Sequence, residues 1–260
     1  MKKAVVLLPT YNEKENLADL IQQIFAEEKN CPGWKLEVLI VDSGSPDGTL
    51  ELAQQLAKKD RRIHTLKVGM GLGVALVEGH RYSVANLSPD GLVQLDADGQ
   101  VGTDVIPRLL KVLDDGYTLA IGSRFVEGGA NNLPLNRKIT SWGSCLYCRL
   151  VMGPLDIGEF TNSARAFTPA LFKKIDFKRI PWQEQTFIIQ PAFLNGAIEA
   201  GATYKEVPLV FKNRAEGYSK NKTFNYTYDI LTYGLDARLH KMGLKISFFK
   251  ISRKLKTLFK

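Results

Sequence analysis

Residues 3–25 read KAVVLLPTYNEKENLADLIQQIF, and this stretch decides the fold class. Residues 3–8 form a mostly apolar run of strand length, which predicts a buried β-strand. Asn12 then offers a helix N-cap, with Glu15 three residues later. The apolar residues that follow recur at helical spacing: Leu17, Leu20, Ile21, Ile24 and Phe25. The stretch therefore predicts a strand followed by a helix, the repeating unit of an α/β fold.

The same alternation continues through the first half of the chain. Further strands are predicted at residues 36–41, 63–68, 92–95 and 119–121, and the helices between them at 49–58, 73–86 and 105–115. Strands that alternate with helices form a parallel sheet with helices on both faces. Beyond a polar loop at 126–136, the predicted elements are helices at 139–152, 169–175 and 183–200 and a strand at 205–211. We expect one doubly wound domain over residues 1–237.

Composition and charge narrow the class of protein. Hydrophobic residues make up 45% of the chain and charged residues 24%, which is ordinary for a globular protein. The net charge is +8, but eight of the 35 Lys and Arg residues lie in 238–260, where there is no acid. The remaining 27 basic residues balance the 27 acidic ones, so the body is neutral. This distribution argues against a nucleic-acid-binding protein and favours an anionic surface met by one end of the chain.

The C-terminal segment has the pattern of a basic amphipathic helix. Its apolar residues recur at spacings of three and four: Leu244, Phe248, Ile251, Leu255 and Leu258. Such a helix over 238–260 is expected to lie in a membrane interface, and the alternative is packing on its own domain or on a partner. Three cysteines are too few for a disulfide framework, and we expect neither a signal peptide nor a transmembrane helix, because no span of about 20 apolar residues occurs. We therefore expect a cytoplasmic protein that is peripheral to the inner face of the membrane.

Acidic and amide side chains follow the predicted fourth strand. Asp96, Asp98 and Gln100 stand at its carboxyl end, which is where open α/β sheets bind their ligands. Two carboxylates one residue apart offer hard oxygen ligands to Mg²⁺ or Mn²⁺, with substrate phosphates completing the shell. The alternative is a solvated acidic turn. The second strand also ends on an acid, Asp42, and the first runs into the polar residues 9–13, so three strands deliver polar loops to one edge.

Together these motifs resemble family 2 glycosyltransferases, and within them the dolichol- or polyprenol-phosphate mannose and glucose synthases, over about residues 4–220. The resemblance implies a GT-A-like α/β domain and a metal-dependent, inverting hexosyl transfer. The implied donor is a nucleotide diphosphate sugar, GDP-mannose or UDP-glucose, and the implied acceptor is a dolichyl or polyprenyl phosphate. Inversion follows from direct displacement by the acceptor oxygen.

The resemblance also implies roles for individual residues. The residues implied to bind the nucleotide sugar are Pro9, Tyr11, Glu13, Asp42, Asp96 and Gln100, with Asp42 on the base. The metal ligands are Asp96, Asp98 and Gln100. Those near the acceptor phosphate are Ser123, Arg124, Arg137, Arg214 and Lys220, and the catalytic group comprises Asp98, Arg124 and Arg137. A phosphate acceptor is already anionic, so it needs cations to hold it rather than a general base.

Departures from the family pattern, which include Gly99 and the run Val101, Gly102 and Thr103, leave alternatives open. Ser43 stands where a second Asp is common, and residues 159–165 replace an Asp followed by Ser-Gly-Phe, in a segment that shapes the sugar and acceptor pocket. One alternative is a family 2 enzyme that glycosylates a hydroxyl, with Glu184 as the general base. The other is a protein that binds the nucleotide or the lipid phosphate without catalysis.

Overall fold

The computed structural model describes residues 1–184, 187–212, 223–244 and 247–251. The strands are β1 (Lys2–Thr10), β2 (Trp34–Asp42), β3 (Ile63–Lys67), β4 (Gly91–Gln94), β5 (Leu119–Ser123), β6 (Ala130–Asn131), β7 (Arg165–Phe167), β8 (Tyr204–Pro208) and β9 (Val210–Phe211). The helices are α1 (Lys14–Ala26), α2 (Thr49–Lys59), α3 (Leu72–Tyr82), α4 (Val105–Asp114), α5 (Leu135–Met152), α6 (Pro169–Lys174), α7 (Ile189–Glu199) and α8 (Thr223–Lys241).

Seven strands form the central sheet in the order β3-β2-β1-β4-β7-β5-β8, and β6 pairs with β9 in a separate two-stranded sheet. All pairings in the central sheet are parallel except those of β7, which runs antiparallel to both β4 and β5. The parallel strands therefore bring their carboxyl ends to one edge. The predicted α/β class, with a mostly parallel sheet, is confirmed.

Alternate residues of the strands build two cores, one on each face of the sheet. In β1, Val5 and Leu7 join the core formed with α3, α5, α6, α7 and α8, while Val6 and Leu8 join the core formed with α1, α2 and α4. All four side chains are fully buried. Strands buried on both faces read as continuous apolar runs, which is why β1 was visible in the sequence.

Several predicted elements differ from the structure. Asn12 does not cap α1, because the helix begins at Lys14 and Asn12 has a φ of +58° in the preceding loop. The helix predicted from residue 183 begins at Ile189, and the strand predicted over 205–211 is interrupted at Leu209. β6, β7 and α8 were not predicted from the sequence. β7 has three residues, which is too short to show an alternating pattern.

The predicted C-terminal helix begins inside another element. Residues 238–241 are the last turn of α8, and the chain turns at Gly243, whose φ of +80° ends that helix. Helical backbone resumes at residues 248–251, and residues 252–260 lie outside the described part of the chain. Within the described ranges, every helix is too short or too polar to span a bilayer.

Candidate active site

The loops after β1 and β2 are built around a buried carboxylate. Asp42 is fully buried at the end of β2, opposite Thr10 in the strand register. Its carboxylate accepts hydrogen bonds from the Thr10 hydroxyl (3.2 Å), the N–H groups of Gly44 and Ser45 (2.9 Å each) and the Ser45 hydroxyl (2.5 Å). Asp42 thus fixes the turn that follows β2. Its predicted contact with a nucleotide base stays a prediction.

Further hydrogen bonds hold the β1 loop against the start of α2. The Glu13 N–H donates to Thr49 Oγ1 (3.1 Å), and the Lys14 N–H donates to Asp47 Oδ2 (3.2 Å). Burial acts to raise the pKa of Asp47, but hydrogen bonds from Thr49 and Lys14 outweigh it and hold the pKa below its ordinary value. These hydrogen bonds hold the backbone at Glu13, a predicted nucleotide ligand, against the start of α2.

The acidic turn after β4 lies next to these loops because β4 pairs with β1. Beyond the end of β4, the Leu95 N–H donates one more hydrogen bond to the Leu7 carbonyl of β1 (3.1 Å). Asp96 and Asp98 are half-buried, and Asp98 Oδ1 accepts the N–H of Gln100 (3.1 Å). The Gln100 side-chain amide donates to the Lys212 carbonyl (3.3 Å). The structure thus places the predicted donor residues along one edge of the sheet, from β2 through β1 to β4.

A divalent cation fits the chemistry of this turn. Among the described residues there is no group of three or more His, Cys, Asp or Glu side chains that could hold a metal by themselves. Two half-exposed carboxylates suit Mg²⁺ or Mn²⁺ when substrate phosphates and water complete the shell. The predicted ligand set of Asp96, Asp98 and Gln100 stays a prediction.

The end of β5 carries a buried ion pair. Arg124 donates from Nε and Nη2 to the two carboxylate oxygens of Glu159 (2.7 and 2.8 Å), and Nη2 also donates to Thr161 Oγ1 (2.8 Å). The Arg124 side chain is 5% exposed and that of Glu159 is fully buried. Burial favours the neutral form of each group, but their attraction is stronger. It holds the pKa of Glu159 below its ordinary value and that of Arg124 above it.

This pairing gives Arg124 a partner that the sequence analysis missed. Glu159 reaches the site because β7 is antiparallel, so the segment that precedes Arg165 arrives at the edge where β4 and β5 end. The signal was an acid between Gly158 and Phe160 in an otherwise uncharged stretch, which the sequence analysis treated only as a departure from the family pattern. Direct contact of Arg124 with an acceptor stays a prediction.

The other predicted acceptor residues lie in different surroundings. Ser123 is fully buried, and its hydroxyl accepts the Phe125 N–H (3.2 Å). Arg137 is exposed in the first turn of α5, while Arg214 and Lys220 lie outside the described residues. Glu184, the base of the hydroxyl-acceptor alternative, lines a cavity of about 700 Å³ beside α7 and the end of α8. The lining of that cavity includes none of the strand-end residues predicted to bind the donor.

A buried polar cluster lies behind the acidic turn. Arg165 is fully buried in β7 and donates to the carbonyls of Gln190 (2.8 Å) and Phe160 (3.1 Å). Gln94, two residues before Asp96, donates to Gln190 Oε1 (3.1 Å). Burial lowers the pKa of Arg165 to about 10, so the guanidinium remains charged at neutral pH. The floor of the site between β4 and β5 therefore contains a positive charge that the sequence analysis did not predict.

The family that the sequence matches and the proteins that it most resembles in the comparisons below agree with one another. The sequence matches the family described as Glycosyl transferase family 2 over residues 5–176. It is 34% identical over 247 residues to the polyprenol monophosphomannose synthase of Mycolicibacterium smegmatis, covering 92% of this chain and 90% of that one. It is 34% identical over 221 residues to the undecaprenyl-phosphate mannosyltransferase of Micrococcus luteus, covering 84% and 87%.

A solved structure shares the fold. It is the glucosyl-3-phosphoglycerate synthase of Mycobacterium tuberculosis in complex with Mn²⁺, UDP and glucosyl-3-phosphoglycerate, with a TM-score of 0.63. The superposition covers 91% of this chain and 80% of that one at 18% sequence identity.

Proposed function

This chain belongs to glycosyl transferase family 2, and from that premise we propose that it transfers one hexose, with inversion, from a nucleotide diphosphate sugar to a polyprenyl phosphate. The observation that carries the acceptor assignment is the similarity, along most of the chain, to two enzymes named for mannosyl transfer to polyprenyl phosphates. The alignment of strand ends from β2 to β4 supports the donor assignment. Mannose is the sugar we expect, with GDP-mannose as donor and UDP-glucose as the alternative.

The donor half of the proposed site comprises the loops after β1, β2 and β4. Asp96 and Asp98 would hold Mg²⁺ or Mn²⁺, with Gln100 beside them. When bound, such a cation neutralises the charge that develops on the leaving diphosphate. Tyr11 and Glu13 stand on a loop whose backbone N–H groups at Asn12 and Glu13 donate to the hydroxyls of Ser45 (3.0 Å) and Thr49 (3.1 Å), which favours a preformed surface for the nucleotide.

The acceptor half needs positive charge rather than a base. An oxygen of the lipid phosphate forms the new bond to the anomeric carbon while the bond to the diphosphate breaks, and the electron pair leaves with the diphosphate. Transfer to an existing anion involves no proton abstraction, so cations that orient the phosphate are the main requirement. Arg124, whose guanidinium is fixed by Glu159, and Arg137 would supply such charge, together with Arg214 and Lys220 from the sequence motif.

The proposed acceptor places the enzyme at a membrane. We propose a cytoplasmic protein at the inner face of the membrane, with the basic segment 238–260 in contact with anionic lipid. The exposure of Leu244, Phe248 and Ile251, three members of the predicted apolar stripe, supports this contact. Eight Lys and Arg residues in the same segment would be attracted to anionic headgroups.

The test is release of nucleotide diphosphate. Purified protein is incubated with GDP-mannose or UDP-glucose and with Mg²⁺ or Mn²⁺, with and without a short-chain polyprenyl phosphate. Release that depends on the lipid would support the proposal and identify the donor. Binding of a nucleotide diphosphate without release from any donor would refute it and favour either a hydroxyl acceptor or the non-catalytic alternative.

A further inference from the structure

Glu206 is a carboxylate on the edge strand of the central sheet. It lies in the middle of β8, opposite Ile121 of β5 in the parallel register, and its side chain is half-buried. None of the ion pairs found among the described residues includes it. An acid that loses part of its hydration without gaining a cation needs hydrogen bonds to compensate.

Both carboxylate oxygens of Glu206 accept backbone hydrogen bonds from the segment that carries Glu159. Oε2 accepts the N–H of Gly158 and Oε1 accepts the N–H of Glu159, each at 2.9 Å. Two hydrogen bonds to one ionised group add geometric specificity as well as strength, because they fix both position and direction. Glu206 thus holds the backbone from which the Glu159 side chain extends.

Gly158 permits this close contact. A Cβ on this residue would lie 3.3 and 3.4 Å from the two Glu206 carboxylate oxygens and 3.3 Å from Cβ of Phe125. Three contacts of this length leave no room for a side chain unless its neighbours shift. Glycine allows such close approach of another group to the backbone, so the residue at position 158 suits the bidentate contact with Glu206.

Tyr204, two residues before Glu206 on the same face of β8, makes a separate contact with the same segment. Its hydroxyl donates to the two carboxylate oxygens of Asp156 (2.9 and 3.1 Å). From α5, Nε of Arg149 donates to the carbonyl of Ile157 (3.0 Å). Residues 156 and 157 are therefore held by contacts that do not involve Glu206.

The position of Glu159 determines which part of the Arg124 guanidinium remains available. Nε and Nη2 donate to the two Glu159 oxygens (2.7 and 2.8 Å), and Nη2 also donates to Thr161 Oγ1 (2.8 Å). Nη1 makes no hydrogen bond to any residue that the structure describes. The ring centroids of Phe125 and Phe211 lie 5.4 and 5.1 Å from Cζ and pack against the guanidinium. Nη1 is therefore the group left to contact a phosphate.

We propose that Glu206 is a positioning residue that acts through Glu159 on Arg124. By fixing the backbone of residues 158–159, it holds the Glu159 side chain where it aims Nη1 of Arg124 at the acceptor phosphate. The inference rests on the proposed function, because it takes Arg124 to contact an anionic acceptor. Glu206 itself touches neither substrate. Misplacing a reacting or orienting group by about 1 Å can cost on the order of 100-fold in rate, so a residue one step removed can matter.

The first test is Glu206→Gln, because positioning and simple electrostatics predict opposite results. The glutamine retains the size of the side chain but has one oxygen acceptor, so one N–H of residues 158–159 loses its partner. We expect the KM for a short-chain polyprenyl phosphate to rise about tenfold, while the KM for the nucleotide sugar stays near that of wild type. Removing a negative charge near an anionic ligand would by itself lower the acceptor KM. An unchanged or lower acceptor KM would overturn the proposal.

Two further variants separate the bidentate contact from general packing. Tyr204→Phe is the matched control, since it removes the hydrogen bond to Asp156 from the same face of the same strand and should leave the acceptor KM unchanged. Glu206→Asp keeps the charge but is one methylene shorter, so it should not reach both N–H groups and should raise the acceptor KM. Equal increases in Tyr204→Phe and Glu206→Gln would contradict a specific role for Glu206, as would a wild-type KM in Glu206→Asp.

Urea unfolding tests the coupling without any substrate. Glu206→Gln is introduced into wild type and into Arg124→Met/Glu159→Leu, which lacks the ion pair. If Glu206 acts on that pair, the shift of the urea midpoint caused by Glu206→Gln should be smaller in the second background, because substitutions at coupled sites are not additive. Equal shifts in the two backgrounds would refute the coupling.

The positioning role and the proposed function fail in distinguishable ways. If wild type releases no nucleotide diphosphate with any polyprenyl phosphate, the proposed function is wrong, and the urea measurements still decide whether Glu206 is coupled to Arg124 and Glu159. If wild type is active and Glu206→Gln retains the wild-type acceptor KM, only the positioning role is wrong.

Discussion

The buried pair of Arg124 and Glu159 is expected to be among the most sensitive positions in the chain. Glu159→Gln removes one charge but retains the size of the side chain. Glu159 accepts two hydrogen bonds from Arg124, the N–H groups of Thr161 and Asn162, and the Thr161 hydroxyl. A glutamine has one oxygen to accept with, and its NH₂ group would face donors. The change therefore leaves Arg124 charged, buried and without its counterion.

The expected loss of stability follows from that arrangement. Breaking a buried ion pair by removing one partner costs roughly 3–5 kcal/mol, and a loss of this size would be a large fraction of the stability of a typical domain. Urea unfolding followed by circular dichroism measures it directly. The double variant Arg124→Met/Glu159→Leu is the control, because removing both charges should cost less than either single change made alone.

Activity gives an independent check of the same reasoning. If Glu159 positions Arg124 for the acceptor, Glu159→Gln should raise the KM for polyprenyl phosphate and leave nucleotide diphosphate affinity near that of wild type. A loss of stability below about 1 kcal/mol would refute the argument, because it would place this carboxylate in the range of an exposed ion pair. A double variant less stable than both single variants would refute it as well.

Three further outcomes are expected. Asp98→Asn should lower kcat at least about 100-fold in the nucleotide diphosphate release assay, because the leaving group loses its cation, while circular dichroism remains unchanged. Glu184→Gln should change kcat less than about threefold if the acceptor is a phosphate, whereas a hydroxyl acceptor that needs this base predicts a loss of about 10²–10⁴-fold. Burial beside Phe167 and Phe172 lowers the pKa of His80 from 6.5 to about 3. As the pH falls, His80 is therefore protonated in the unfolded chain at a higher pH than in the folded protein. Stability should therefore drop below pH 6.5 by roughly 1.4 kcal/mol per pH unit, reaching about 2 kcal/mol at pH 5. Urea unfolding at pH 7 and pH 5 tests this, and His80→Leu should remove that part of the pH dependence.

The amino-acid sequence by itself determined the α/β class and predicted the edge of the sheet at which the donor would bind. The apolar run of β1 and the helical spacing in α1 are local patterns, because the strand is buried on both faces and the helix on one side. Asp96 and Asp98 follow a buried strand directly, so their place at the carboxyl edge needed no knowledge of distant residues. The combined motifs also predicted the family, which the comparisons confirm.

Tertiary structure decided the features that depend on distant partners. β7 has only three residues, and it lies in the middle of the sheet because β4 pairs with it on one side and β5 on the other. Its reversed direction brings Glu159 to Arg124, 35 residues earlier in the chain, and gives this predicted phosphate ligand a buried carboxylate partner. Local sequence patterns report periodic burial but not which distant group neutralises a buried charge. For the same reason, only the packing of α5 on α8 showed that apolar residues such as Ile139 and Leu231 face outward.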